Sequence, residues 1–204
     1  MARLGLAGED GTFGNRYDDP AGEYRVLYAA SQRVGAFLET LARFRREPAL
    51  QAAMAEIDQD PEYPTLDPGL VPKEWLTARC IGTASHAGPF ADVGHSDSIA
   101  HLRAMLAALL VRHGLDDLDA GDLRRRAPRR FTQEISRYVF EHGRDASGTQ
   151  LLGICYRSRL GDELVSWAIF EGTEPDDRIS HPISSDDPDL RRALNMHQLQ
   201  LTRH

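Results

Sequence analysis

An arginine beside a glycine, close to the start of the chain, is the first candidate for chemistry. Arg16 lies in the run Gly14-Asn15-Arg16-Tyr17-Asp18-Asp19-Pro20. A guanidinium binds phosphate oxygens through parallel N–H donors, and a neighbouring glycine lets the backbone approach such an anion. We therefore predict an anion-binding loop here. The alternative is an ordinary surface charge on an irregular loop.

Two further candidates follow along the chain. Tyr28 lies near the end of a short β-type run, just before a predicted helix, where an aromatic ring can line a pocket. Glu39 lies at the edge of that helix's apolar stripe, where a carboxylate could face a bound ligand. The alternative for Glu39 is a solvated carboxylate that pairs with Arg43 four residues on.

The run Gly153-Ile154-Cys155-Tyr156-Arg157-Ser158-Arg159 is the second block with candidate site residues. Arg157 and Ser158 directly follow a buried apolar run, and residues at the end of a central strand often project into a site. The alternative is a plain transition from strand to turn. We assign Ser158 no nucleophilic role, because the sequence connects no histidine base to it.

Other common sites have no support in the sequence. His86, His95, His101 and His113 have no zinc-motif spacing, so we expect surface or capping histidines and no metal. The arginines at 124–126, 129 and 130 follow four aspartates at 116–122, which predicts a compensated surface. No P-loop, dinucleotide-binding glycine motif or nucleophile elbow occurs.

Composition narrows the class of protein further. Of 204 residues, 24 are Lys or Arg and 31 are Asp or Glu, for a net charge of −7, and Lys73 is the single lysine. An acidic chain is a poor general nucleic-acid binder. No apolar run reaches the ~18 residues of a membrane span. Cys80 and Cys155 are widely spaced and predict reduced thiols, so we expect a cytoplasmic protein that contacts neither nucleic acid nor membrane.

Strands and helices alternate without a regular βαβ order, which predicts a single α+β domain. Hydrophobic periodicity predicts strands at 24–29, 75–83, 151–156 and 164–170, and helices at 31–46, 49–57, 98–113 and 131–142. We divide the chain into a short N-terminal segment, 1–11, a domain over 12–171 and a polar tail, 172–204, in which 190–201 has helical character.

Several blocks in this order resemble the RES domain family. They are 14–20 with 24–30, Ala36-Phe37-Leu38-Glu39-Thr40-Leu41-Ala42, Phe131-Thr132-Gln133-Glu134-Ile135-Ser136, 153–159 and Trp167-Ala168-Ile169-Phe170-Glu171. The arginine, glutamate and serine for which the family is named match Arg16, Glu39 and Ser158. Members of the family usually have an N-terminal strand well before this block, whereas only thirteen residues precede Gly14, so we expect either a misassigned start or a lost strand.

The resemblance implies a mixed sheet flanked by helices, related to ADP-ribosyltransferases. It implies a toxin of a bacterial toxin–antitoxin pair that takes NAD+ as substrate and cleaves the nicotinamide–ribose bond by hydrolysis or phosphorolysis. A Xre-like antitoxin would neutralise it, and a homodimer is expected. The alternatives are an ADP-ribosyltransferase that modifies a protein, or a non-catalytic antitoxin-binding module.

The candidate residues suit that chemistry. Cleavage of an N-glycosidic bond passes through an oxocarbenium-like ribose, which a carboxylate such as Glu39 can stabilise. Arg16, and secondarily Arg157, would clamp the pyrophosphate. Tyr28 and Tyr17 would stack on nicotinamide or shape its pocket, and Ser158 would hydrogen-bond ribose or phosphate.

Overall fold

The computed structural model describes residues 14–46, 52, 69–125 and 129–202. Helices and strands are interspersed along the chain, so the predicted α+β class is confirmed. Within these residues, no helix is long and apolar enough to cross a membrane. The helix predicted at 49–57 lies outside the described residues, apart from residue 52.

The described part of the chain contains the strands β1 Val26–Ala30, β2 Leu70–Val71, β3 Cys80–Ser85, β4 Ala91–Asp92, β5 Gly153–Arg157, β6 Val165–Phe170, β7 Asp176–Pro182 and β8 Gln200–Leu201. They form one four-stranded sheet, in the order β1-β6-β5-β4, and two pairs, β2-β8 and β3-β7. The predicted strand pair at 151–156 and 164–170 is confirmed, because β5 and β6 are antiparallel neighbours.

Seven α-helices lie in the described part of the chain, and a short 3-10 helix, Ala42–Phe44, extends the first. They are α1 Arg33–Leu41, α2 Glu74–Thr77, α3 Ser96–Met105, α4 Ala107–Arg112, α5 Ala120–Arg124, α6 Arg130–His142 and α7 Pro188–His197. Helix α7 lies in the segment expected to be a polar tail.

The chain forms two compact units, each built from two stretches of sequence. Of the described residues, the first unit comprises those up to Ser31 and those between His86 and Pro175, and the second comprises those between Gln32 and Ser85 and those from Asp176 onward. The predicted boundaries 1–11, 12–171 and 172–204 stay a prediction.

The first unit is organised around the four-stranded sheet. Tyr28 of β1 lies opposite Ala168 of β6, which lies opposite Ile154 of β5, so these three residues share one face. Side chains alternate along a strand, and Tyr156 therefore lies on the same face as Ile154. The core cluster on this side includes Phe131, Ile135 and Val139, the apolar stripe of α6.

In the second unit, α1 and α7 lie side by side. Arg33, the first residue of α1, pairs with Asp187, which caps the start of α7. Towards the other end, Nε2 of the buried His197 lies 2.9 Å from the carbonyl oxygen of Leu38. The two contacts align the helices in the same direction and leave the exposed Glu39 on the outer side of α1.

Three predicted elements differ from the observed ones. The helix expected at 98–113 is interrupted at Leu106, whose φ of −111° and ψ of 22° are not helical. The strand expected from Trp75 begins instead as α2, which buries Trp75 and Leu76. The helix expected at 31–46 begins at Arg33, with Gln32 at the N-cap position, while the hydroxyl of Ser31 accepts a hydrogen bond from Trp167 Nε1 at 2.8 Å.

Candidate functional site

The arginine loop, residues 14–20, is tied to helix α6 through its backbone carbonyls. Five side chains at or next to the first turns of α6 donate to loop carbonyls, which satisfies oxygens that an irregular segment cannot pair internally. The pairs are Arg129 with Gly14, Gln133 with Asn15 at 3.1 Å, Thr132 with Arg16 at 2.7 Å, Ser136 with Tyr17 at 2.7 Å and Arg130 with Pro20 at 3.2 Å. Residues 129–136 thus form a clamp on the loop through these five side chains.

The guanidinium of Arg16 is half-buried and held in one place. Nη1 donates to the carbonyl of Leu123 at 2.8 Å, and Nη2 donates to the carbonyl of Arg124 at 3.0 Å. These carbonyls end helix α5, where the helix dipole favours a cation. The guanidinium carbon also lies 5.9 Å from the centre of the Tyr156 ring, within cation–π range.

The hydroxyl of Tyr28 links the loop to strand β1. It donates to Oδ1 of Asp18 at 2.9 Å and accepts from the backbone N–H of Tyr17 at 2.8 Å. Burial raises the pKa of Tyr28 well above its ordinary value, and the adjacent Asp18 carboxylate raises it further. The phenol is therefore neutral at physiological pH.

The side chain of Tyr17 packs beneath the loop. Its side chain is fully buried, and its ring centre is 4.8 Å from that of Tyr156. Burial raises its pKa, and its hydroxyl oxygen has no hydrogen-bond partner among the described residues. The predicted contact of Tyr17 with a ligand stays a prediction.

Neighbouring side chains at the end of β5 lie on different sides of the sheet. Tyr156 faces the core side of the sheet with Tyr17, so Arg157 projects from the opposite face and is exposed. Ser158 is 2% exposed, and its hydroxyl accepts a hydrogen bond from the Leu160 N–H at 2.9 Å. Ser158 therefore shapes the turn between β5 and β6, and its predicted ligand contact stays untested.

The structure brings Arg16, Tyr17 and Tyr28 together in the first unit. Glu39 belongs to the second unit, where it is exposed on α1. Its predicted catalytic role stays a prediction, as do the binding roles of Arg157 and Ser158.

Two aspartates of the loop have structural roles that the sequence analysis missed. Asp18 and Asp19 are 6% and 2% exposed. Asp18 Oδ2 accepts from the N–H of Asn15 at 2.7 Å, while Asp19 accepts from the N–H of Glu23 and lies 3.7 Å from Nη1 of Arg137. Adjacent acidic residues before a proline are typical of surface turns, so only their partners reveal that these two are buried.

The described residues contain no group of three or more His, Cys, Asp or Glu side chains that could hold a metal ion. The arrangement instead offers the guanidinium of Arg16, held by two carbonyls beside the ring of Tyr156. Such a group is suited to recognising an anion by charge and direction.

The family model described as RES domain matches residues 5–193, nearly the whole chain. No curated protein matches the chain. No solved structure matches it either.

Proposed function

The chain belongs to the RES domain family, and we propose on that basis that it is an enzyme that consumes NAD+ by cleaving the nicotinamide–ribose bond. The family occurs in toxin–antitoxin systems, so the proposed role is that of a toxin. The observation that carries the proposal is the family match together with Arg16, which matches the family's arginine and is held by two carbonyls beside the Tyr156 ring.

Arg16 is the proposed cation for the pyrophosphate of NAD+. Its two hydrogen bonds to the end of α5 fix the plane of the guanidinium before any ligand arrives. A positioned cation binds an anion more favourably than a mobile side chain, because less conformational freedom is lost on binding. The clamp from α6 supports the same geometry through the backbone.

Glu39 is the proposed stabiliser of the ribose cation. As nicotinamide departs with the bonding electrons, positive charge develops on the ribose, and a carboxylate lowers the energy of that state. Nicotinamide leaves as a neutral base, so the reaction requires no strong general acid. Arg157 and Ser158 are proposed as further contacts to phosphate and ribose.

Release of nicotinamide from NAD+ tests the proposal directly. The purified protein is incubated with NAD+, with and without inorganic phosphate, and products are separated by chromatography. ADP-ribose alone indicates hydrolysis, whereas its 1″-phosphorylated form in the phosphate sample indicates phosphorolysis. Labelled NAD+ in a lysate distinguishes transfer to a protein, which would label a polypeptide while turnover without lysate stays low.

The role of Glu39 is tested by Glu39→Ala, with Glu74→Ala as the matched control. Both carboxylates are exposed on helices of the second unit. We expect Glu39→Ala to lose at least about 100-fold in turnover, on the scale of removing one charge-stabilising group, and Glu74→Ala to keep parental turnover. A Glu39→Ala protein as fast as the parent would remove Glu39 from the mechanism.

The proposed partner is a small Xre-like antitoxin, and the proposed assembly includes a homodimer in the cytoplasm. An adjacent reading frame encoding a helix-turn-helix protein, and its co-purification with this chain, would support the pairing. If calorimetry finds no NAD+ binding but tight binding to that gene product, the non-catalytic binding module replaces the enzyme.

A further inference from the structure

The backbone amides on both sides of Arg16 are held by the same pair of side chains. The N–H of Asn15 donates to Oδ2 of Asp18 at 2.7 Å, and the N–H of Tyr17 donates to the hydroxyl of Tyr28 at 2.8 Å. That hydroxyl in turn donates to Oδ1 of Asp18 at 2.9 Å. One carboxylate and one phenol therefore close a ring of hydrogen bonds around the residue that carries the guanidinium.

The hydroxyl of Tyr28 uses its proton and one acceptor position within this ring of hydrogen bonds. A phenol has a single proton, which lies toward Asp18, and its oxygen already accepts from the N–H of Tyr17. To act on a substrate as an acid, the hydroxyl would have to leave Asp18. That would leave a carboxylate that is 6% exposed without one of its two hydrogen-bond donors, which is costly.

We propose that Asp18 and Tyr28 are positioning residues that form a latch on Arg16, and that the Tyr28 hydroxyl acts on the loop rather than on the substrate. The effect of this latch on kinetics rests on the proposed function. The latch itself consists of hydrogen bonds within the free protein. It differs from direct participation of the Tyr28 hydroxyl in the reaction, which would require the hydroxyl to face the reacting atoms.

A kinetic cycle tests whether Tyr28 works through Arg16. Nicotinamide release is measured for the parent, Tyr28→Phe, Arg16→Ala and the double variant. We expect Tyr28→Phe to lower kcat/KM by about 10- to 100-fold, the scale of a ~1 Å misplacement of a binding group, mainly by raising KM. In the Arg16→Ala background the same change should have less than about a 2-fold effect, since residues that act as a unit are not additive.

An equal loss from Tyr28→Phe in both backgrounds would overturn the proposal, because the hydroxyl would then contribute independently of Arg16. A fall in kcat at unchanged KM would overturn it as well, since that pattern indicates a contact made only in the transition state.

Amide hydrogen exchange tests the latch without reference to activity. We expect Tyr28→Phe to increase the exchange rate of the Tyr17 amide, and Asp18→Asn to increase that of the Asn15 amide, each by at least about 10-fold, the scale of losing a ~1.4 kcal/mol hydrogen bond. Tyr138→Phe is the control, because its hydroxyl lies 3.1 Å from His101 Nε2, and it should leave both amides unchanged.

The two measurements separate the two proposals. If the parent releases no nicotinamide but the exchange changes appear, the proposed function fails and the latch stands. If both amides exchange at parental rates in Tyr28→Phe and Asp18→Asn, the latch is wrong, whatever the protein does with NAD+.

Discussion

Replacing Ser136 with alanine should loosen the arginine loop and destabilise the protein. Ser136 is fully buried on α6, and its hydroxyl donates to the carbonyl of the equally buried Tyr17 at 2.7 Å. The same oxygen lies 3.0 Å from the hydroxyl of Tyr24, which is 7% exposed. Ser136→Ala therefore removes the partner of two buried polar groups at once.

The expected loss follows from these two contacts. Leaving a buried polar group without its partner costs about 1–2 kcal/mol, so the two groups together cost about 2–4 kcal/mol. Alanine is the better helix former by about 0.5 kcal/mol, which offsets a small part. We expect the free energy of unfolding to fall by about 1.5–3.5 kcal/mol.

Urea-induced unfolding, followed by far-UV circular dichroism, measures this change. Ser147→Ala is the control: its hydroxyl bonds to Asp145 at 2.7 Å, but in an exposed loop, so its effect should stay within about 0.5 kcal/mol. A Ser136→Ala protein as stable as the control would show that the clamp contributes nothing to folding. In a Tyr24→Phe background, Ser136→Ala should lower the free energy of unfolding by less, because one of the two buried polar groups that would lose their partner is then absent.

Two further predictions concern packing and pH. Gly153→Ala should destabilise the protein by about 1–3 kcal/mol, measured by the same urea titration, because a Cβ there would overlap the carbonyl oxygen of Ala168 on the neighbouring strand. For Glu134, burial raises the pKa, but hydrogen bonds with His113 and Arg130 outweigh it and hold the pKa below its ordinary value. A depressed pKa adds stability above the unfolded value of about 4.3, which is lost as the pH falls through the folded value. Glu134→Gln should therefore melt below the parent at pH 7, and the difference should narrow below about pH 4; a constant difference would contradict this.

The elements that sequence periodicity predicted best are those whose pattern is set locally. Helix α6, observed at Arg130–His142, was expected at 131–142, and its apolar stripe faces the core. Helix 98–113 was expected to be continuous, because its apolar residues recur throughout. The interruption is a change of backbone angles at Leu106, and no proline or glycine marks this position in the sequence.

The candidate site was predictable in its residue types but not in its connections. An arginine two residues after a glycine and a tyrosine in a short β-type run indicated a site, and both lie in one cluster in the structure. The sequence could not show that Arg16 bonds to carbonyls 107 and 108 residues away, or that Asp18 is buried. Those facts depend on long-range packing, which leaves no periodic signal.

The pairing of strand β1 with a strand much later in the chain determines when the arginine loop can assemble during synthesis. Among the strands that the structure describes, the only neighbour of β1 in the sheet is β6, and Val26 pairs with Phe170. Until β6, Val165–Phe170, has been synthesised, β1 has no strand to join among the described residues, although α6 is already complete. Closing so long a loop is slow. A nascent chain that stops before β6 therefore lacks the strand that holds β1 and Tyr28 in place, so the arginine loop is assembled only after β6 has been synthesised.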